Sequence, residues 1–149
     1  MTVPPGLVVD ASVAAKWHLT EEIHTERANL LRAAFYTGRT KLSAPALIRY
    51  EVAQALERAV RDNRIDPDDA TLAFRSFLDF NFYSQVDDDA LVASAQRLAR
   101  DTGASVYDAL YVAHAEVIRF EVVTADEQLV YQMSNHIVRV HLLAELDLS

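Results

Sequence analysis

The chain has 149 residues, no cysteine, three glycines and a formal net charge of −8. This length suits one domain over residues 1–149 and is enough to bury a core without disulfides or a structural metal. The missing thiols exclude a cysteine nucleophile, a thiolate zinc site and a disulfide framework. The acidic balance argues against a protein that coats nucleic acid through a broad basic surface, but not against an enzyme that cuts it. Met1-Thr2-Val3-Pro4-Pro5-Gly6 has neither a basic start nor a long apolar stretch, so no secretory leader is expected. No apolar run approaches the ~20 residues that span a bilayer. A cytoplasmic protein without membrane contact is the expectation, and the lack of cysteine suits a reducing compartment.

Leu7-Val8-Val9 reads as a short strand buried on both faces. Residues 11–19 read as a short helix or turn. Residues 21–35 carry helical spacing, with Gly38 as a stop. Residues 41–44 form a second short strand. Pro45 suits the first turn of a helix that continues over residues 47–61. Asp66-Pro67 marks the next helix, with Asp66 as cap and Pro67 at its first position, running to about residue 80. Residues 82–86 have the composition of a third strand. Asp87-Asp88-Asp89 leads into a helix closed near Gly103. Ser105 starts a helix to about Ile118, residues 121–124 form a strand, 125–133 a short helix and 137–141 a last strand. Strands alternating with helices predict an α/β fold with a mostly parallel sheet. The surplus of helices suggests a helical hairpin outside the layered core. The aromatic stretch from Phe74 to Tyr83 is expected in the core or on a partner surface.

Four acids stand at junctions with apolar segments. Asp10 ends the first strand, Glu51 interrupts an apolar helical stripe, Asp108 opens a helix that is apolar nearly all round, and Asp126 follows the strand Val122-Val123-Thr124. A carboxylate beside a core segment is costly unless its charge is compensated. Each has a local alternative. Asp10 can cap the helix after it. Glu51 has apolar neighbours Leu47, Ile48 and Ala55 along its helix, and Arg58 is its alternative ion-pair partner. Ser105 to Asp108 resembles a capping box. Thr124 to Glu127 resembles another, in which Glu127 caps and Asp126 is left free. Taken together, four acids at equivalent junctions point to one shared divalent ion with oxygen ligands, Mg²⁺ or Mn²⁺. Asp10 and Asp126 lie just past strand ends, where sites form in open α/β sheets. Ser12 and Thr124 each sit two residues from one of these acids.

Other features carry less. The triple Asp at 87–89 is explained by a helix start. The five histidines show no zinc-ligand spacing, and His114 on an apolar helix reads as a core histidine. Three glycines are too few for a phosphate-cradling loop, and Ser43, Ser105 and Ser134 lack any nucleophile motif.

The blocks at residues 8–17, 44–52, 107–113 and 123–129 resemble the PIN domain, and within it the VapC-type toxins of toxin–antitoxin pairs. The resemblance covers nearly the whole chain, and the blocks at Asp10 and Asp108 are its most specific parts. It implies a three-layer α/β/α fold with a parallel sheet. It implies a metal-dependent endoribonuclease that hydrolyses RNA phosphodiester bonds with metal-activated water. It places Mg²⁺ or Mn²⁺ on Asp10, Glu51, Asp108 and Asp126, with Ser12 and Thr124 as polar neighbours. It also implies a homodimer held inactive by a cognate antitoxin. Gln54 departs from the Asn that many relatives carry, keeping the amide but changing its reach. Residues 66–86 are variable in such proteins, so the choice of RNA target does not carry over. Lys16, Arg49 and Arg58 are candidate phosphate contacts. Two other readings stand beside this one. A receiver-like phospho-signalling module would want a second acid after the first strand, where Ala11 stands. An inactive PIN-like domain that only binds a partner would not need the full acid set.

Overall fold

The computed structural model describes residues 2–149; Met1 of the opening segment lies outside the described residues. In chain order the elements are β1 (Gly6–Val9), α1 (Ala11–Ala14) with a 3-10 turn at Ala15–Trp17, α2 (Thr25–Tyr36), β2 (Lys41–Ser43), α3 (Ile48–Arg61) and α4 (Pro67–Leu78). They continue with α5 (Asp89–Thr102), α6 (Val106–Ile118), β3 (Glu121–Thr124), α7 (Glu127–Gln132) and β4 (Val140–Leu142), closed by a 3-10 turn at Leu143–Glu145.

The four strands form one sheet in the order β2-β1-β3-β4, and every neighbouring pair is parallel. All of β1 is buried, as are Val122, Val123 and Thr124 of β3. Parallel strands need helical crossovers, and the crossovers cover both faces, which is why these strands read as unbroken apolar runs. α6 packs on β1 and β3 and pairs with α5; α1 meets β3 and α3; α7 meets β3 and β4. The fold is the expected three-layer α/β/α arrangement. The β1–β3 register sets Leu7 against Glu121 and Val9 against Val123. Gly6 starts β1 because a Cβ there would lie 2.6 Å from the Phe120 ring.

α4 folds back on α3 after a short turn, giving the expected helical hairpin. It is not outside the core, since Ala70 and Phe77 are buried. Asp66 occupies the N-cap of α4, but its side chain makes no capping hydrogen bond.

Three boundaries differ from the sequence expectation, each for a local reason. Residues 82–86 form no strand. Ser84 has φ 39°, which breaks the extended run, and one backbone bond, Tyr83 N to Leu42 O at 2.8 Å, ties this segment beside β2. α2 begins at Thr25 because His24, at φ 61°, turns the chain immediately before it. β4 begins at Val140, after a turn in which His136 N bonds Met133 O and Val138 N bonds His136 Nδ1. Ile137 is consequently exposed.

The aromatic stretch packs inward. Phe80 stacks on Trp17 at 4.8 Å and lies 4.7 Å from both Phe35 and Phe82. Phe77 is buried between Phe74 and Phe82. Among its large apolar and aromatic side chains and the neighbouring Leu72, only Leu72, Leu78 and Tyr83 are substantially exposed.

Candidate active site

The carboxyl ends of β1 and β3 open into a cleft of about 680 Å³. Asp10, Ser12, Glu51, Asp108 and Asp126 all line it, with Lys16, Gln54, Arg58, Tyr50 and Tyr107. Residues 116 positions apart in sequence meet there because β1 and β3 are adjacent in the sheet. Thr124 lies fully buried behind the cleft.

Asp10 is 6% exposed and held from two sides. Its Oδ2 accepts the Ser12 hydroxyl at 2.7 Å and the Thr124 hydroxyl at 2.8 Å. The two hydroxyls are themselves fixed by backbone amides: Ala125 N–H donates to Ser12 Oγ at 3.0 Å and Asp126 N–H to Thr124 Oγ1 at 3.1 Å. Asp10 stands at the N-cap of α1 but makes no side-chain cap bond, so capping does not explain it.

Glu51 sits in the first turn of α3 and forms no ion pair with Arg58. Its Oε1 accepts the Tyr111 hydroxyl at 2.6 Å instead. Tyr111 is fully buried, and in sequence it looks like one more apolar residue of its helix. The signal was its spacing, three residues after Asp108 and so on the same helix face.

Asp108 contributes its backbone to a cap and its side chain to the cleft. Its backbone N–H donates to the Ser105 hydroxyl at 3.0 Å, which caps α6, while its side chain lines the cleft. Asp126 corrects an expectation. It is itself the N-cap of α7, accepting Gln128 N–H on Oδ1 at 2.9 Å, because the helix starts at Glu127 and the cap position is the residue before it. Its Oδ2 receives no hydrogen bond from the described residues.

Electrostatics tie the acids together. Burial pushes the Asp10 carboxyl above the usual range, and the Asp108 charge adds to this against the lowering by Ser12 and Thr124. Burial also raises Glu51, with further contributions from Asp10 and Asp108, and raises Asp108, with a contribution from Asp126. The Tyr111 hydroxyl is pushed up by burial and by the Asp10 and Glu51 charges, so it stays a proton donor. Among the described residues no cation pairs with any of the four acids. They do not converge into a closed ligand set of three or more. The donors are all oxygens on an open cleft, and nearby like charge adds to the raising of Asp10, Glu51 and Asp108. That chemistry fits a hard divalent cation that keeps part of its water shell.

The cations divide. Lys16 is buried, lines the cleft and pairs with Glu22 at 3.3 Å. Arg58 lines the cleft without a carboxylate partner among the described residues. Arg49 faces a separate small cavity with Phe77, Phe80 and Phe82. The triple Asp is a helix start, since Asp88 accepts Leu91 N–H at 2.8 Å. His114 is fully buried, with Nε2 2.9 Å from Ser43 Oγ and no partner on Nδ1; burial lowers its pKa to about 4.

An all-parallel α/β/α domain with an acid-lined cleft at its strand ends is thus the class that fold and site define. The sequence model of the PIN domain matches residues 7–133, and the chain belongs to the PIN-domain family. It is 33% identical over 129 residues to Ribonuclease VapC3 of Pyrobaculum aerophilum, covering 83% of this chain and 91% of that protein. The crystal structure of PAE2754 from Pyrobaculum aerophilum has the same fold, with a TM-score of 0.66 at 23% identity over 93% of this chain and 84% of that one.

Proposed function

We propose that this chain is a single-domain, metal-dependent endoribonuclease, the toxin of a VapBC-type toxin–antitoxin pair. The observation that carries the reading is the meeting of four carboxylates, from four separate elements, in one cleft where their charges oppose one another. The name of its relative, Ribonuclease VapC3, supports RNA as the substrate. Asp10, Glu51, Asp108 and Asp126 would hold Mg²⁺ or Mn²⁺. Such an ion, when bound, supplies Lewis acidity toward phosphate oxygens and makes water a stronger acid.

The chain's own part is positional. Ser12 and Thr124 fix the Asp10 carboxylate, Tyr111 fixes Glu51, and the α7 amide of Gln128 fixes one oxygen of Asp126. Pre-set ligands need no reordering when the phosphodiester arrives. Arg58 lines the cleft wall, and a guanidinium there would suit a phosphate. The working form is read as a cytoplasmic homodimer restrained by a cognate antitoxin, with no membrane partner; among the described residues no helix is long and apolar enough to cross a membrane.

The test is cleavage of a structured RNA by purified protein in Mn²⁺, followed as product length on a gel. Asp108→Asn keeps the side-chain shape and removes the charge, so cleavage should fall by orders of magnitude while far-UV circular dichroism is unchanged. Asp88→Asn should cut as wild type does. Equal cleavage by wild type and Asp108→Asn would remove the nuclease assignment.

A further inference from the structure

α3 and α6 present the same pattern to the cleft, a tyrosine followed by an acid. Tyr50 directly precedes Glu51, and Tyr107 directly precedes Asp108, each in the first part of its helix. The acids are partly buried, while the tyrosines stand out at the rim, 68% and 63% exposed, and both line the cleft. Neither ring stacks on another aromatic side chain, and neither hydroxyl is hydrogen-bonded among the described residues. Arg49 lies over the Tyr50 ring at 5.6 Å. Neither Arg49 nor Arg58 has a carboxylate partner among the described residues.

Large exposed aromatic faces beside unpaired guanidinium groups are what a single nucleic-acid strand binds: bases stack on the rings and phosphates meet the cations. A base-paired duplex hides its base faces and gains nothing from such rings. Resting on the ribonuclease reading above, we infer that Tyr50 and Tyr107 are specificity residues that stack unpaired bases at the rim of the acid cleft. Bases of the bound strand lie on the two rings while the scissile phosphate faces the acids.

Steady-state cleavage of one RNA sequence is measured as a single strand and annealed into a duplex. Wild type should prefer the single strand. Tyr50→Ala and Tyr107→Ala should each raise KM for the single strand about tenfold, the scale of one lost base stack. The Tyr→Phe variants should recover most of that loss, because Phe keeps the ring. Tyr131→Ala, at an exposed ring on a different groove, should behave as wild type. A second readout uses the single strand carrying 2-aminopurine, whose fluorescence is quenched on stacking, kept uncut in metal-free buffer with EDTA. Quenching should saturate with wild type and be lost in both alanine variants. Unchanged KM and quenching in those variants would overturn the inference, as would equal cleavage of strand and duplex. So would a change confined to self-association, which would make the tyrosines a protein interface. Absent cleavage with tyrosine-dependent quenching would instead sink the ribonuclease reading and leave the base-stacking role standing.

Discussion

At the residue scale the cleft is a place where charge opposes stability. Asp10, Glu51 and Asp108 have folded-state pKa values above their ordinary 3.8, 4.5 and 3.8. The folded protein therefore keeps protons that the unfolded chain releases. Their cost is fully present above the raised values and disappears as pH falls through them to the ordinary carboxylate range. His114 works the other way. Its folded value of about 4 lies below the ordinary 6.5, so its contribution is intact above 6.5 and is lost as pH falls toward 4. A difference between variants isolates the acids from this histidine. In metal-free buffer at pH 7, Asp10→Asn should melt above wild type, because the amide oxygen can still accept from Ser12 and Thr124. The gap should close as pH approaches 4. Saturating Mn²⁺ should raise the wild-type melting temperature, by roughly 5–10 °C at a hundred times Kd, where binding adds about 2.7 kcal/mol. The shift should be much smaller in Asp10→Asn. Equal shifts in the two proteins would mean that the ion binds elsewhere.

At the element scale, caps and apolar runs made most of the fold legible. β1 and β3 are short unbroken apolar runs, and Ser105 and Gly103 bracket the junction between α5 and α6 as their chemistry dictates. The Asp88 cap gives a clean test of that logic. Asp88→Ala should lower stability by about 1 kcal/mol in denaturant unfolding and leave RNA cleavage intact; a fall in cleavage at unchanged stability would place Asp88 in the site. Residues 82–86 misled because their β-forming composition says nothing about the left-handed backbone at Ser84. The four acids were legible as misfits against apolar neighbours. Tyr111 was not, because a tyrosine in an apolar helix looks like core until its hydroxyl partner, 60 residues away, is known. For the same reason the helix-capping role of Asp126 went to its neighbour, where a shift of one residue changes which carboxylate faces the first amides.

At the scale of the whole molecule, the proposed homodimer would have to rest on surfaces other than the Phe74–Phe82 cluster, which is largely internal packing. Leu72 and Leu78 on α4, and Leu30 and Tyr36 on α2, remain exposed and are large enough to anchor a partner copy. Sedimentation should show a dimer at micromolar concentration, weakened by Leu72→Lys with Leu78→Lys. A monodisperse monomer at high micromolar concentration would count against it.

The sheet order has a consequence in time. β1 is made first, yet one of its two neighbours, β3, is made almost last, and the hydroxyl that helps hold Asp10 sits 114 residues downstream. A ribosome adds about 5–20 residues each second, so for several seconds Asp10 has left the ribosome while Thr124 and Asp126 do not yet exist. Long-range parallel pairings are also slow to form. On the ribonuclease reading proposed above, such an enzyme would be made in contact with RNA, on a machine built largely of it. Because the cleft forms only when β1 and β3 meet, a half-made copy would carry no assembled site with which to attack its own message.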